Sequence, residues 1–253
     1  MCKRLILRRY DYFGARYYAS DLSVWLSVDP LSDEYPSTSP YMYVAGNPVK
    51  YIDPTGMNLD EYVFDSDGNF TGEVVEKKGD DYGVIVNSDG SRTKFSFADP
   101  TNDTEALRKG DITKAVLVTN EAIYQALDAS GVNKPENQKD KAAYIERESA
   151  YDDPNSSGKM DYSSKSIKIN GKMERIRSNT LYITNVDGVN IAHNNYNFGN
   201  FLWGAGACSL GVPLIFAKFG AHYFTMKKSE GRVDSSDDQY SIELGFKWKL
   251  LNE

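Results

Sequence analysis

The chain has 253 residues, of which 40% are hydrophobic and 26% charged, as in ordinary folded proteins and unlike disordered chains. Its formal net charge of -7 argues against unspecific binding of nucleic acid, because neutralising phosphates takes clustered lysine and arginine. The two cysteines, Cys2 and Cys208, stand near opposite ends of the sequence, so neither a disulfide framework nor a zinc pattern is indicated.

The N-terminal stretch MCKRLILRRY is basic, but it does not have the features of a signal peptide. Its apolar run is three residues long, and no small-residue cleavage site follows it. If the protein is exported, we expect something other than this N-terminal stretch to direct its export.

The charges divide the chain into two parts near residue 57. Residues 1–57 hold six Lys or Arg and six Asp or Glu, which leaves 23 basic against 30 acidic residues for residues 58–253. The whole net charge therefore belongs to the second part. This asymmetry predicts two units, residues 1–57 and residues 58–253.

Residues 10–57 consist of short strand-like runs separated by proline steps. The steps are Asp-Pro, Tyr-Pro, Ser-Pro, Asn-Pro and a second Asp-Pro, and each disfavours helix at the residue before proline. The pattern predicts a turn-rich β segment. Because a meander of this length buries little apolar surface, we expect it to pair with a structure outside the segment.

The same residues resemble the Rhs repeat-associated core segment. The resemblance rests on the stretches YDYFGARYY, SVDPL, YPSTSPYMYV and NPVKYIDPTG. In that family the core closes a large β-shell, and an Asp-Pro-x-Gly element marks the junction before a variable C-terminal toxin. The resemblance therefore implies that residues 53–56, Asp-Pro-Thr-Gly, are the junction and that residues 58–253 are the toxin.

The resemblance also implies self-cleavage by aspartates, which would release the toxin from the core. Such a reaction requires two carboxyl groups close enough to share a proton, so that one acts as the acid and the other as the base. Asp29 and Asp53, each followed by proline, are the candidates in this sequence. The alternative for both is that they cap turns, where aspartate is favoured on local grounds.

Two β-hairpins are predicted at residues 60–98. The stretches EYVFDSDGNFTGEVVEKK and YGVIVNSDGSRTKFSF each alternate β-forming residues around a Ser-Asp-Gly turn. The first turn also imitates a calcium loop, but its glycine stands at the fourth position instead of the sixth, and helices do not flank it. The residues of this disfavoured calcium alternative are Asp65, Asp67, Asn69 and Glu76.

Residues 101–192 mix helices and strands. The stretch TNDTEALRKG predicts a short helix capped by Thr or Asn, ITKAVLVT predicts a strand, and NEAIYQALDAS and ENQKDKAAYIERESA predict helices. Two further hairpins are predicted in SKSIKINGKMERI and NTLYITNVDGVNIA, with Asn-Gly and Asp-Gly turns. The predicted fold class is α+β, with hairpins followed by a helical C-terminal half.

Residues 193–250 form a glycine-rich helical region whose uncharged run, residues 194–217, has two interpretations. A membrane span requires about 20 residues, and the small residues would suit close helix packing in a membrane. A buried central helix would use the same small residues to bring its neighbours close. The four asparagines at the start of the run and the internal glycines and proline favour the buried helix.

The C-terminal part resembles the bacterial polymorphic toxin type 44 family over about residues 140–250. The resemblance rests on HNNYNFGNFLWGAGACSLGVPLIFAKFGA, with a Phe-Gly-Asn-Phe element before a glycine-rich helix, and on SSDDQYSIELGFKW. In the second stretch Asp237-Asp238-Gln239 is compressed relative to the spacing of the family. The stretch GKMDYSSK, with Asp161, is similar to an upstream Gly-x-x-Asp element.

A set of polar residues around these motifs has the chemistry of a catalytic site. A histidine changes protonation near neutral pH and suits general acid or base work, while asparagines orient substrates and carboxylates supply further acids and bases. The candidates are His193, Asn197, Asn200, Asp237, Asp238, Asp161 and Glu148, whereas His222 is interpreted as structural.

His193 and the aspartate pair also have a structural interpretation. A lone histidine after a hairpin is often a hydrogen-bonded structural residue, and an aspartate pair before a helix is an N-cap. If His193 and Asp238 are catalytic, they should lie at a partly open site. Replacing either by alanine should then abolish toxicity with little change in stability.

The two resemblances together imply a toxin module of an Rhs polymorphic toxin used in competition between bacteria. The module is expected to be a hydrolase of nucleic acid or cell wall, with no cofactor required by the sequence and the metal requirement open. The expected partners are a cognate immunity protein, the Rhs β-shell and a target macromolecule in a recipient bacterium, reached by secretion or delivery from the cell surface. The alternatives are a membrane-active toxin acting through residues 198–217 and an inactive fragment of the shell.

Overall fold

The computed structural model describes residues 10–12, 17–19, 22–28, 39–43, 59–77, 81–149, 158–228 and 235–252. These residues contain both strands and helices, with strands dominant in the N-terminal half and helices in the C-terminal half, as predicted for an α+β protein.

The strands in chain order are β1 (Tyr10–Tyr12), β2 (Tyr17–Ala19), β3 (Val24–Trp25), β4 (Leu59–Phe64), β5 (Phe70–Lys77), β6 (Tyr82–Val86), β7 (Arg92–Phe97), β8 (Lys114–Leu117), β9 (Ser166–Ile169), β10 (Lys172–Arg175), β11 (Thr180–Val186) and β12 (Val189–His193). The helices are α1 (Pro100–Lys109), α2 (Asn120–Ser130), α3 (Pro135–Lys139), α4 (Lys141–Ser149), α5 (Asn195–Ser209), α6 (Leu214–Lys228) and α7 (Ser236–Leu251).

The N-terminal strands β1, β2 and β3 form an antiparallel sheet of their own. Trp25 is buried and packs edge-on against Tyr18 and Tyr43, with ring centroids 5.5 and 5.3 Å away. This sheet agrees with the predicted β character of the segment. Asp29, Asp53 and the proposed junction at residues 53–56 lie outside the described residues.

The largest sheet has seven strands in the order β5-β4-β6-β7-β12-β11-β8. The predicted hairpins β4–β5, β6–β7 and β11–β12 are confirmed within it, and the hairpin β9–β10 forms a separate pair. The hairpins are joined by parallel pairings, β4 with β6, β7 with β12 and β8 with β11. These parallel pairings connect residues far apart in sequence, and they were not predicted.

Apolar side chains cover both faces of this sheet. On one face Leu107 of α1 packs into a cluster with Phe95 and Ala192 of the sheet. On the other face α2, α5 and α7 pack against the sheet, and Phe198 of α5 stacks on Tyr182 at 4.7 Å between ring centroids. Because successive residues of a strand point to opposite faces, β11 and β12 contribute to both clusters.

Two helix boundaries differ from the prediction. The N-cap of α1 is Asp99, which accepts a hydrogen bond from the backbone amide of Asn102, so the predicted threonine or asparagine cap was wrong. An aspartate followed by proline is a better start, because proline at the first helical position has no amide to satisfy. The long helical pattern after residue 135 is split into α3 and α4 at Asp140.

The glycine-rich run forms α5 and the beginning of α6, with a break at Gly211 and Pro213. Gly211 has a positive φ of 69°, and Pro213 cannot continue the hydrogen bonds of a preceding helix. Most of α5 is buried against the sheet and α7, so the prediction of a buried helix is confirmed. In the part of the chain that the structure describes, every helix is too short or too polar to cross a membrane.

Candidate active site

The candidate site lies where two neighbouring parallel strands end. Strands β7 and β12 pair in parallel, so that their C-terminal ends share one edge of the sheet. The chain after β7 enters α1 on one face of the sheet, and the chain after β12 enters α5 on the other. In α/β proteins, ligands bind outside the carboxyl ends of parallel strands where successive helices leave to opposite faces.

Asn194 joins the starts of the two helices. Its side-chain oxygen caps α5 by accepting hydrogen bonds from the amides of Tyr196 and Asn197, at 3.1 and 3.0 Å. Its side-chain nitrogen donates to the Oδ1 atom of Asp103 in the first turn of α1, at 2.9 Å. The two helices therefore begin side by side, although they lie on opposite faces of the sheet.

The start of α7 completes the group. Asn197 donates to the carboxylate of Asp237 at 3.3 Å, and Asn200 donates to that of Asp238 at 2.6 Å. The structure thus brings together Asn197, Asn200 and the aspartate pair, as the sequence motif predicts. Asp237, Asp238 and Asn200 are half-buried, so this end of the group is open to solvent.

The two aspartates of the pair have different roles. Ser235 is the N-cap of α7, and its hydroxyl donates to Asp238 at 2.7 Å while it accepts the backbone amide of the same residue. Asp238 therefore belongs to the capping arrangement of its helix. Asp237 is linked to Asp103 by the hydrogen bonds of Asn197 and Asn194, and we call the side chains of Asp99, Asp103 and Asp237 the carboxyl cluster.

Asp103 is the most unusual member of the carboxyl cluster. The residue is 1% exposed, and its Oδ2 atom has no hydrogen-bond partner among the described residues. Burial raises the pKa of Asp103 to about 8; the hydrogen bond from Asn194 opposes this shift, and the nearby carboxylates of Asp99 and Asp237 add to it. Asp103 is therefore largely protonated at neutral pH.

Asp99 is buried near Asp103. Burial raises the pKa of Asp99, and the charge of Asp237 acts in the same direction, while two hydrogen bonds from Asn102 oppose the shift. A buried carboxyl without a cationic partner is costly in a folded protein, and perturbed carboxyl groups are concentrated at functional sites. The carboxyl cluster is therefore the main candidate for a functional site in the described part of the chain.

His193 lies in the core instead of at an open site. It is 0% exposed, its Nε2 atom lies 3.1 Å from the hydroxyl of Thr184, and its Nδ1 atom lies 3.3 Å from that of Ser241. Burial lowers the pKa of His193 to about 3, so its ring is neutral at physiological pH. The expected open position of His193 was wrong, because the period-2 pattern of β12 turns its side chain toward α5 and α7.

We expect His193→Ala to lower the free energy of unfolding by about 2 to 4 kcal/mol, because it leaves a cavity and two buried hydroxyls without a partner. The wild-type protein should also lose stability as the pH falls from 6.5 toward 3, because the unfolded chain then binds a proton that the folded chain does not. Urea unfolding at several pH values measures both effects.

Tyr196→Ala is the control for this prediction, because Tyr196 is 69% exposed and its removal should change stability by about 0.5 kcal/mol or less. A His193→Ala protein with wild-type stability and no toxicity would contradict the structural role and return His193 to the set of catalytic candidates.

The structure does not place Glu148 in the carboxyl cluster. Glu148 lies near the end of α4, and its carboxylate accepts hydrogen bonds from Arg147 and from the backbone amide of Lys159, both at 3.0 Å. Burial raises the pKa of Glu148, but these interactions outweigh burial and leave the pKa below its usual range. The hydrogen bond to Lys159 connects the end of α4 with the chain that follows residues 150–157, so the role of Glu148 is structural.

Asp161 precedes a 3-10 turn at Tyr162–Ser164 and accepts a hydrogen bond from the hydroxyl of Ser163 at 2.8 Å. This turn packs against α5 at Gly199, where an added side chain would meet Ser163 at 3.1 Å. The glycine of the Phe-Gly-Asn-Phe element therefore permits a close approach of the chain around Asp161. Nothing in these contacts assigns Asp161 a reactive role.

The loop considered for calcium is a hairpin turn. The Oδ1 atom of Asp65 accepts the amides of Asp67 and Asn69 at 3.0 and 2.8 Å, and its Oδ2 atom accepts the side chain of Asn69. Both oxygens are thus used by the turn itself. Among the described residues, no group of three or more His, Cys, Asp or Glu side chains has the arrangement of a metal site.

Sequence reasoning missed Asp99, Asp103 and Asn194. A signal for Asp103 was nevertheless present, because it stands four residues before Leu107 and therefore on the buried stripe of α1. A carboxyl group at a core position of a helix requires an explanation, whereas a carboxyl group on a solvated face does not. The contact of Asp103 with Asn194 was not predictable locally, since the two residues are 91 positions apart.

Comparisons with known proteins give no identification. No protein-family model matches the chain. No curated protein and no solved structure matches it either. The function of the carboxyl cluster therefore has to be argued from its own geometry and from the sequence motifs around it.

Proposed function

We propose that residues 58–253 form the toxic module of an Rhs polymorphic toxin used in competition between bacteria, and that this module is a hydrolase. The resemblance of residues 10–57 to the Rhs core supports the toxin assignment, as does the resemblance of the C-terminal part to toxin type 44. A cognate immunity protein, the Rhs β-shell and a target in the recipient bacterium are the partners that this proposal implies.

The observation that carries the hydrolase proposal is the carboxyl cluster at the ends of β7 and β12. Hydrolysis requires an acid that protonates the leaving group and a base that takes a proton from water. Asp103 holds a proton at neutral pH, and the half-buried Asp237 beside it is the member of the cluster that a substrate reaches. Two carboxyl groups in different environments can supply both functions.

One observation favours the membrane-active alternative. The outer face of α6 carries Ile215, Phe216 and Phe219, which are 70%, 65% and 68% exposed. The sequence of α6 contains no acidic residue. An exposed apolar face with basic residues suits binding to a membrane surface. Ile215 and Phe216 lie at the end of the run 198–217 in which the sequence placed membrane activity, and Phe219 lies just after it.

We expect inducible expression of the full chain to arrest bacterial growth, and Asp237→Asn to relieve the arrest. The asparagine keeps the size of the side chain but neither accepts nor donates a proton in the reaction. Growth curves at matched protein levels, together with circular dichroism of the purified variants, measure this effect. Asp67→Asn, a change to an exposed carboxylate in the β4–β5 turn, is the matched control and should remain toxic.

Two results would contradict the hydrolase proposal. One is full toxicity of Asp237→Asn at equal expression. The other is leakage of liposomes caused equally by the wild type and Asp237→Asn but lost in Phe219→Glu, which would support the membrane-active alternative instead.

A further inference from the structure

The β9–β10 hairpin is a basic segment in an acidic chain. Residues 165–177 contain five Lys or Arg and one Glu, so they carry a formal charge of +4, although the whole chain carries -7. Clustered lysine and arginine are what the neutralisation of phosphates requires. The overall charge therefore conceals a local group of cations that suits an anionic partner.

The two faces of this hairpin have opposite chemistry. Lys168 pairs with Met173 and Ser166 pairs with Arg175, and residues paired across an antiparallel ribbon point to the same side. All four residues are exposed. The intervening isoleucines of β9 point to the other side and are buried in the core cluster that includes α2. The hairpin is thus anchored by its inner face, while its outer face is open to solvent.

The arginines of the hairpin differ from the other arginines that the structure describes. Arg92, Arg108 and Arg147 each form an ion pair with a carboxylate, at 2.5, 2.5 and 3.0 Å. Arg175 and Arg177 are exposed, and neither forms an ion pair with another described residue. Their guanidinium groups are therefore available to an external anion, and the planar guanidinium matches the geometry of a phosphate.

Lys168 extends this group of cations to the other strand of the hairpin. Its direct partner is Met173, so it is a diagonal neighbour of Arg175, and such neighbours are about 7 to 8 Å apart. Like charges at this distance repel each other, and a bound anion would relieve the repulsion. The one carboxylate of the segment, Glu174, pairs with the buried Ile167 and thus stands on the inner side.

Duplex DNA is the nucleic acid that this surface fits best. We call the exposed residues Ser166, Lys168, Met173, Arg175 and Arg177 the basic face. Proteins that bind single strands add aromatic side chains on which the bases stack, and the basic face has none. A duplex needs no such stacking, because it presents about one negative charge per 1.7 Å of its axis.

The shape of the hairpin also favours DNA over the other anionic partners. The major groove of B-DNA admits a two-stranded β-ribbon, whereas the deep, narrow groove of duplex RNA does not admit side chains. Binding to an anionic membrane surface would require several apolar side chains beside the cations. Met173, which is 67% exposed, is the one apolar side chain of the basic face.

We propose that the basic face binds the phosphate backbone of duplex DNA, with Lys168, Arg175 and Arg177 each contacting a phosphate. Contacts to phosphates carry no sequence information, so the binding is independent of sequence and weak, with a Kd on the order of 10 to 100 μM at physiological salt. This proposal goes beyond the hydrolase function and does not depend on it, because binding is measured without turnover.

The test measures binding of the purified full chain to a fluorescent DNA duplex of mixed sequence by anisotropy at several salt concentrations. With three phosphate contacts, the association constant should fall roughly 40-fold between 50 and 200 mM salt. Each of Lys168→Gln, Arg175→Gln and Arg177→Gln should weaken binding and reduce the slope of its salt dependence by about 1. The triple variant should lose about 10-fold or more in affinity.

A second triple variant, Lys109→Gln, Lys134→Gln and Lys139→Gln, is the matched control. These lysines are exposed at α1 and α3, away from the hairpin in sequence, and their replacement changes the net charge by the same amount. This control should bind DNA nearly as tightly as the wild type. Circular dichroism of both triple variants should match the wild type, because every substituted side chain is exposed.

Three results would overturn the proposal. The first is a folded wild-type protein that does not bind duplex DNA at 50 mM salt. The second is an equal loss of affinity in the two triple variants, which would assign the attraction to the overall charge instead of the basic face. The third is tighter binding to single-stranded RNA, or to vesicles of phosphatidylglycerol, than to duplex DNA.

Discussion

Replacing Asp103 by asparagine is expected to raise the stability of the protein and to abolish its toxicity. Burial raises the pKa of Asp103 from 3.8 to about 8, so keeping this carboxyl in the folded protein costs up to about 4 kcal/mol at pH 7. Asparagine has no charge to bury and retains an oxygen that accepts the hydrogen bond from Asn194. We expect a gain of about 1 to 3 kcal/mol in the free energy of unfolding at pH 7.

The contribution of Asp103 to the free energy of unfolding depends on pH. Between pH 4 and pH 8 the unfolded chain has released the proton of Asp103, whereas the folded chain still holds it. The contribution of this group to stability is therefore largest below pH 4 and falls as the pH rises to about 8. Above pH 6.5 His193 no longer opposes this trend, because its ring is then neutral in both states.

Urea unfolding of the wild type and Asp103→Asn from pH 5 to pH 9 measures this difference. The two proteins should diverge as the pH rises, with Asp103→Asn the more stable. Asp128→Asn, at an exposed site, should follow the wild type at every pH. If Asp103→Asn is less stable than the wild type at pH 8, Asp103 is not the buried acid that we infer, and its proposed role in the reaction fails with it.

Replacing Gly245 by alanine is expected to have the opposite effect and to destabilise the protein by about 3 kcal/mol. Helices α5 and α7 touch through their backbones at two places. A methyl group on Gly245 would overlap the carbonyl oxygen of Phe201, and a methyl group on Gly204 would overlap that of Ile242. Backbone atoms at both places cannot move aside unless the helices separate.

Gly220→Ala in α6 is the matched control for this substitution. A methyl group there would meet the ring of Trp203 at 3.6 Å, which is an ordinary contact. The change should be neutral or stabilising by up to about 1 kcal/mol, because alanine favours helix over glycine. Thermal unfolding of the two variants separates these effects. Equal melting temperatures for Gly245→Ala and the wild type would show that the two helices do not pack as described.

Gly245→Ala should also disturb the candidate active site, because it would push α5 and α7 apart. Asn197 and Asn200 lie on α5, and their partners Asp237 and Asp238 lie on α7. A displacement of one helix by an ångström would break both hydrogen bonds, because such bonds weaken steeply beyond about 3.5 Å. We therefore expect Gly245→Ala to lose toxicity as well as stability.

Local patterns in the sequence determined most of the secondary structure. The alternation of β-forming residues around Ser-Asp-Gly, Asn-Gly and Asp-Gly turns predicted four hairpins, and each is present. These patterns succeed because a hairpin depends on the turn residues and the alternation of its own two strands. The buried character of α5 was also readable, since an uncharged, glycine-rich run that begins with asparagines suits a protein core better than a membrane.

The sequence also indicated part of the site. The Phe-Gly-Asn-Phe element and the aspartate pair placed Asn200, Asp237 and Asp238 in one candidate site, and the structure joins Asn200 to Asp238 and Asn197 to Asp237. It could not assign roles within the pair, because capping and reactivity favour the same residue type at the start of a helix. That distinction depends on Ser235, which caps α7 and engages Asp238 but not Asp237.

Tertiary structure alone decided which residues surround the buried carboxyl group of Asp103 and where His193 lies. Asp103 reaches Asn194 because β7 pairs in parallel with β12, and this pairing joins residues that are about 90 positions apart. Such a contact leaves no trace in local periodicity, because it depends on how separate hairpins are ordered in one sheet. The burial of His193 also depends on tertiary structure. The alternation of β12 determines the face of the sheet on which His193 lies, but only the packing of α5 and α7 on that face removes His193 from water.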